Sequence, residues 1–232
     1  GLSLNIGNVS EFEFDHSGRR LAYVVDANEK AGNGIVVHNL DNGTTRVLDE
    51  GDAVFEKLLW NDEGNALTVL KGVEDKAYVD KLWSAIGFRD QGKSELQKLV
   101  IEPSQLKNFP EGMTISSDAQ PRWSQDFTWI SFGLKETKKK PKEDKKENEA
   151  DEKVNLVLWH YQDKRLQPQQ KVQQEMDKRK SFAAIYRVED QKFIRLQDES
   201  ISNINMPLKG DWAIGRDDTP YQRQASMDGK RA

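Results

Sequence analysis

The stretch FDHSGRRLAYV, residues 14–24, decides the fold. An aromatic residue leads into Asp15, a His-Ser-Gly turn, two arginines and a short apolar run. Gly18 suits the turn because glycine adopts positive φ without a Cβ clash. The phrase recurs as WNDEGNALTVL at 60–70, WSQDFTWISFG at 123–133 and MPLKGDWAIG at 206–215. In the third copy Phe127 replaces the turn glycine; in the fourth, Gly210 is back in place and Trp212 aligns with Trp129. Recurrence of one phrase along a chain is the mark of a repeat architecture.

Each copy reads as a β-hairpin. SEFEFD (10–15) alternates, putting Phe12 and Phe14 on one face, and RLAYVV (20–25) is the returning strand. A second hairpin follows: GIVVHNL (34–40), the turn DNG (41–43) and TTRVLDE (44–50). Asn-Gly between two strand-like runs is a strong hairpin signal. The first unit is therefore four antiparallel strands, the size of one propeller blade. The second reads as 55–60, 66–71, 81–88 and 96–102, followed by a spacer containing Pro103, Pro110 and Gly112. The third combines 120–123 and 128–134 with an outer hairpin at 181–190 and 192–199. The fourth opens at 201–207 and 212–216.

The same four hairpins could also build a β-sandwich. Shared phrasing at the inner hairpin favours the radial arrangement, since every blade presents equivalent inner strands to one axis. The expected fold is all-β: a partial β-propeller of four-stranded antiparallel blades, about three blades plus the start of a fourth. Residues 1–232 form one propeller segment, with approximate units 9–51, 54–102, 119–200 and 201–232. Trp60, Trp123, Trp129 and Trp212 hold matching repeat positions and read as blade-packing residues.

The spacing of the anchors at 14, 60, 123 and 206 widens along the chain. Much of the last increase comes from KETKKKPKEDKKENEADEK, 135–153, in which seven acids sit among eight lysines. Such a stretch cannot bury enough apolar surface to offset its ordering entropy, so it reads as a charged, mobile surface loop. After it, 154–159 reads as a strand, and Pro168 opens either a short helix through 169–180 or an extended arm.

Composition narrows function by exclusion. The 232 residues carry a net charge of −4, so there is no overall basic field to attract nucleic acid. No apolar run reaches the roughly 20 residues needed to span a bilayer. Without cysteine there is no disulfide, thiolate nucleophile or cysteine metal site. His16, His38 and His160 show no metal-ligand spacing, and neither a nucleophile elbow nor a phosphate loop is present. No catalytic, cofactor or metal residue is expected. His160, Asp163 and Arg165 form a polar cluster that reads as structural. RDDTPYQRQ, 216–224, follows an inner strand; its Arg216, Asp217, Asp218, Tyr221 and Arg223 are candidates for a central-channel or domain-interface surface.

LWHYQDKRLQPQQKVQQEMDKRKSFAAIYRVED (158–190) and DWAIGRDDTPYQRQASMDGKR (211–231) resemble the N-terminal β-propeller of bacterial prolyl-oligopeptidase-like (S9) serine peptidases. More loosely, they resemble dipeptidyl-peptidase and TolB-like propellers. The specific part is the Trp-His-x-x-Asp-x-Arg-Leu-Gln run at 159–167; the first two units match only in repeat style. The resemblance implies a propeller that precedes an α/β-hydrolase domain, caps its active site and limits access to short peptides. It also implies an exported, periplasmic setting. No position here matches the family's triad motifs, so the chain is expected to be a non-catalytic fragment whose partner is that hydrolase domain. The other reading is a stand-alone TolB-like scaffold that binds protein. Open blade edges are expected to favour self-association.

Overall fold

The computed structural model describes residues 5–27, 32–90, 96–140, 167–201, 203–207 and 209–229. The first sheet holds β1 (Val9–Phe14), β2 (Arg20–Val25), β3 (Gly34–Asn39) and β4 (Thr45–Glu50) in chain order, every pair antiparallel. The second repeats the plan with β5 (Val54–Trp60), β6 (Ala66–Val73), β7 (Leu82–Asp90) and β8 (Leu96–Ile101). The third contains β9 (Met113–Ile115), β10 (Arg122–Trp123), β11 (Trp129–Glu136), β12 (Phe182–Arg187) and β13 (Lys192–Arg195). The fourth is a two-stranded ladder, β14 (Asn203–Asn205) and β15 (Ile214–Arg216). Helices α1 (Gln167–Lys178) and α2 (Gln222–Met227) lie outside the sheets. Successive four-stranded antiparallel meanders, packed face to face, make this a partial β-propeller.

Strand alternation gives each sheet two apolar faces, and these meet in two cores. Ala22, Val24, Ile35 and Val37 of the first blade bury against Phe55, Trp60, Leu67, Val69, Ile86 and Phe88 of the second. The other face of the second blade sets Leu70, Trp83, Ala85 and Ile101 against Ile115, Ile130, Phe132, Leu134 and Tyr186 of the third. Each large side chain buried this way contributes roughly 1.5–3 kcal/mol.

The repeated phrase is held by one repeated device. Asp15 N donates to Arg20 O, Asn61 N to Ala66 O and Ser124 N to Trp129 O. The side chain at the same position then accepts an amide from the returning strand: Asp15 Oδ1 from Arg19 N and Arg20 N, Asn61 Oδ1 from Asn65 N and Ala66 N, Ser124 Oγ from Trp129 N. Gly18 and Gly64 both have φ of 68°, and Phe127 takes φ of 60° at the equivalent place.

Three features depart from the sequence reading. The inner strand of the third blade starts earlier than 119. β9, inside the stretch read as a spacer, pairs with β11 at Leu134, Lys135 and Glu136, and β10 pairs with it at Ile130 and Ser131. Between Ile115 and Arg122 the chain loops out and returns, with Ala119 lying over Gly133, where a Cβ would stand 2.5 Å from that of Ala119. Lys135 and Glu136, read as the start of the charged loop, end β11 instead; of the two alternatives read at Pro168 it is the helix that forms, over Gln167–Lys178, with Val172 and Met176 exposed. Trp212 does not pack: it is 64 % exposed. In the fourth unit Pro207 stands where Asp15, Asn61 and Ser124 supply an acceptor, and the returning strand begins only at Ile214. The turn is therefore untied and the indole is not drawn into a face.

Candidate functional site

The inner strands of the second, third and fourth units enclose a cavity of about 170 Å³. Its apolar wall is Trp60, Trp123, Trp129 and Met206; Asp62, Glu63 and Arg122 supply charge. The repeat places the three indoles: Trp60 and Trp123 end the inner strands of their blades, and Trp129 opens β11. Their N–H groups tie neighbouring units together. Trp60 Nε1 donates to Glu13 O at 3.2 Å, Trp123 Nε1 to Leu67 O at 3.3 Å and Trp129 Nε1 to Gly210 O at 3.4 Å. Ser124 and Ser131, the nearby hydroxyls, are likewise engaged in strand ties: Ser124 Oγ accepts from Trp129 N and Ser131 Oγ donates to Arg122 O. The arrangement suits holding a ligand against aromatic faces, and no nucleophile-and-base pair forms among the described residues.

The first and second blades are joined by a polar seam that alternation alone does not reveal. Glu11 Oε2 accepts Leu58 N at 2.9 Å, and Glu13 Oε2 accepts Trp60 N at 2.8 Å. Burial pushes Glu13 above the ordinary carboxylate value; the Trp60 amide opposes this and Glu11 adds to it. Glu56 is raised by burial too, with Lys81 opposing. Asp15, almost fully buried, bonds Arg20 Nε at 3.3 Å. The Arg20 guanidinium continues to Gly64 O, lies 5.1 Å from the Trp60 ring centroid and reaches Asp90 at 3.8 Å. Burial acts to raise Asp15, but bonds from Arg20, Ser17 and Arg19 outweigh it and hold the carboxyl below its usual range.

Of the residues proposed from sequence, Arg216 ends β15 and pairs with Asp218 at 2.8 Å. Asp217 Oδ1 accepts Thr219 N, and the Thr219 hydroxyl donates to Ser200 O, which ties this segment to the end of the third unit. Tyr221 is exposed and Arg223 lies on α2, which begins within this stretch at Gln222. The structure brings these five residues into one polar run and leaves them apart from the indole cavity. His160, Asp163 and Arg165 lie outside the described residues. Among the described residues no cluster of metal-ligating side chains forms, and no helix is long and apolar enough to cross a membrane. Sequence reasoning missed the acceptor roles of Glu11 and Glu13; the recurrence of an acceptor at 15, 61 and 124 was there to be read.

No family model and no curated protein matches the chain. Among solved structures it is similar to the β-propeller domain of the Trilobed protease from Pyrococcus furiosus, at 14% identity and TM-score 0.44, covering 84% of this chain and 45% of that one. It is also similar to TolB from Acinetobacter baumannii, at 9% identity and TM-score 0.40, covering 83% of this chain and 33% of that one. A third is the acylaminoacyl peptidase of Pyrococcus horikoshii, at 12% identity and TM-score 0.38, covering 83% of this chain and 25% of that one. The chain spans less than half the length of each. The likeness is one of fold, and the fold rests on the strand pairing described above.

Proposed function

We propose that the chain is the non-catalytic propeller portion of a prolyl-oligopeptidase-like serine peptidase, exported to the periplasm, where it caps the active site of an α/β-hydrolase domain and limits access to short peptides. The observation that carries this reading is the run of tied antiparallel blades bearing the sequence resemblance at 158–190 and 211–231. The polar run from Arg216 to Arg223, with Arg216, Tyr221 and Arg223 exposed, is the surface that meets the central channel or the hydrolase domain. Catalysis belongs to the hydrolase domain, so this chain alone does not turn over substrate.

Two measurements test the reading. The parent reading frame carries a Gly-x-Ser-x-Gly elbow after the propeller; a frame that encodes only a stand-alone scaffold overturns the proposal. The purified chain, assayed against proline-containing peptide amides, shows no hydrolysis. Turnover that survives repurification would place the chemistry in the propeller itself.

A further inference from the structure

Asn-Gly occurs twice in the chain, at Asn33-Gly34 and Asn42-Gly43. Glycine has no Cβ to hinder its amide nitrogen, so that nitrogen can approach the side-chain carbonyl carbon of the asparagine before it. The fold gives the two pairs opposite surroundings. Asn33 is 1 % exposed. Its Oδ1 accepts Ala27 N at 2.7 Å, and its Nδ2 donates to Asp26 Oδ1 at 3.1 Å and to Ala53 O at 2.9 Å. Gly34 lies in β3, where a Cβ would stand 2.7 Å from Asp49 O. This amide is held at both its oxygen and its nitrogen, and packing keeps water from it.

Asn42-Gly43 stands in the turn beyond the last rung of β3 and β4, where His38 opposes Thr45. Residues 40–46 are exposed, and a Cβ at Gly43 would meet nothing within 4 Å. Asn42 Oδ1 accepts two hydrogen bonds from one residue: Thr44 N at 3.0 Å and Thr44 Oγ1 at 2.7 Å. Both donors face the oxygen on which negative charge develops when a nucleophile adds to the amide carbon, the arrangement of an oxyanion hole. Asn42 Nδ2, the group that would leave, donates to no partner among the described residues. Gly43 N donates to Asn39 O at 2.9 Å. That single tie lies in an exposed turn, where local opening costs little.

We propose that Asn42 is a self-modification site: Gly43 N attacks Asn42 Cγ with Thr44 stabilising the oxyanion, while the fold shields Asn33 from the same reaction. Hydroxide takes the Gly43 amide proton and the N–Cγ bond forms. The tetrahedral intermediate then collapses, the Cγ–Nδ2 bond breaks, and Nδ2 leaves as ammonia with a proton drawn from water. The cyclic succinimide left behind is opened by a second water. Addition at Cγ restores the ordinary backbone with an aspartate side chain. Addition at the former main-chain carbonyl leaves isoaspartate, whose backbone runs through the side chain and is one atom longer. The aspartate product keeps an acceptor for Thr44 and sets a second carboxylate beside Asp41, which already lies 3.8 Å from Arg19 Nε. The isoaspartate product displaces Thr44 and undoes the bond from Asn39 N to Thr44 O, 2.8 Å in the unmodified turn. The tip of this hairpin therefore ages in water while the buried residues of β3 keep their places.

Peptide mapping by mass spectrometry, on the purified chain incubated in mildly alkaline buffer, tests this. Amide-to-acid conversion is expected at Asn42, as two chromatographically distinct products of equal mass, with Asn33 unchanged. In guanidinium chloride, which removes the fold, Asn33 converts as well. T44V keeps the main-chain donor and loses the hydroxyl. It slows conversion of Asn42 in the folded chain by about two- to tenfold, the worth of one hydrogen bond, and has no such effect in guanidinium chloride. T44S, which returns the hydroxyl, returns the rate. Both variants change one exposed side chain, and circular dichroism confirms that their strand content is kept. An Asn42 that stays intact in the folded chain while the unfolded chain converts overturns the proposal. So does an Asn33 that converts as fast folded as unfolded, and so does T44V reacting at the wild-type rate. The outcome concerns one hairpin and stands apart from the peptidase reading.

Discussion

Glu13 grips Trp60 twice: its carboxylate accepts the Trp60 backbone N–H at 2.8 Å, and its carbonyl accepts the indole N–H at 3.2 Å. Replacing Glu13 with Ala leaves a half-buried amide without its acceptor, at a cost of about 1–3 kcal/mol in urea denaturation. E13Q keeps an acceptor and costs less. The two variants also differ in pH response. Glu13 is raised above its ordinary 4.5 in the folded chain, so the native state binds this proton more readily than the unfolded state. Its contribution is largest below 4.5 and declines as pH rises through the elevated value. E13Q removes that decline. A wild-type and E13Q stability difference that stays constant from acid to neutral pH would contradict the assignment.

Asp15 behaves in the opposite sense. Its carboxyl is held below 3.8, so its stabilisation is present above that value and is lost as pH falls through the lower folded one. R20M strips the guanidinium from a buried carboxylate and from Gly64 O, costing about 2–4 kcal/mol. The double variant D15N/R20M recovers part of this, because Asn fills the same turn position at residue 61. Simple additivity in the double-mutant cycle would show that Asp15 and Arg20 do not act as a unit.

Phe127 is a non-glycine residue in the left-handed region, at φ of 60°. Its ring contacts Trp123 at 5.7 Å and lies under the Arg89 guanidinium at 4.4 Å. F127A loses both contacts and keeps the backbone strain; F127G loses the contacts but relieves the strain. F127G is expected to be about 1 kcal/mol more stable than F127A. Thermal denaturation of the pair reads the difference directly, and the reverse order would mean that the left-handed turn does not cost what its geometry implies.

Gly87 lies at a close approach of the second and third blades. A Cβ there would stand 2.5 Å from Ile130 Cδ1 and 2.6 Å from the Trp123 ring. G87A is therefore expected to overpack this seam and destabilise by about 1–3 kcal/mol. Because Trp123 also lines the indole cavity, the same change perturbs Trp fluorescence in the folded state. A G87A chain with unchanged stability and emission would show that the blades separate here at little cost.

The repeat was legible because its turn chemistry is local. Asp15, Asn61 and Ser124 each sit one residue after an aromatic anchor, and hairpins of that kind declare themselves without tertiary context. β9 was hidden because a three-residue strand flanked by Pro110, Gly112 and a looped excursion carries no period of its own. Trp212 was misplaced because its aromatic position repeats while the turn that would fix it does not. Glu11 and Glu13 look like the wet side of an alternating strand; only the neighbouring blade turns their oxygens into acceptors. The indole cavity was invisible for a related reason, since residues from three units meet there and no single segment contains the site.

One cross-link bears on how the molecule comes apart. Val79 N donates to Lys138 O at 2.8 Å, Lys140 N donates to Ala77 O at 2.9 Å, and Tyr78 bridges Lys139, so backbone from the second unit is laced to backbone of the third beyond the ends of their sheets. This buckle spans the seam that also holds Gly87 and Trp123. A load that prises neighbouring units apart must unfasten main-chain bonds here. At the boundary with the fourth unit the ties among the described residues come from side chains: the Trp129 indole on Gly210 O, the Gln197 amide on Ile201 O and the Thr219 hydroxyl on Ser200 O. The last unit is thus the first to swing free, and the middle pair travels as one body.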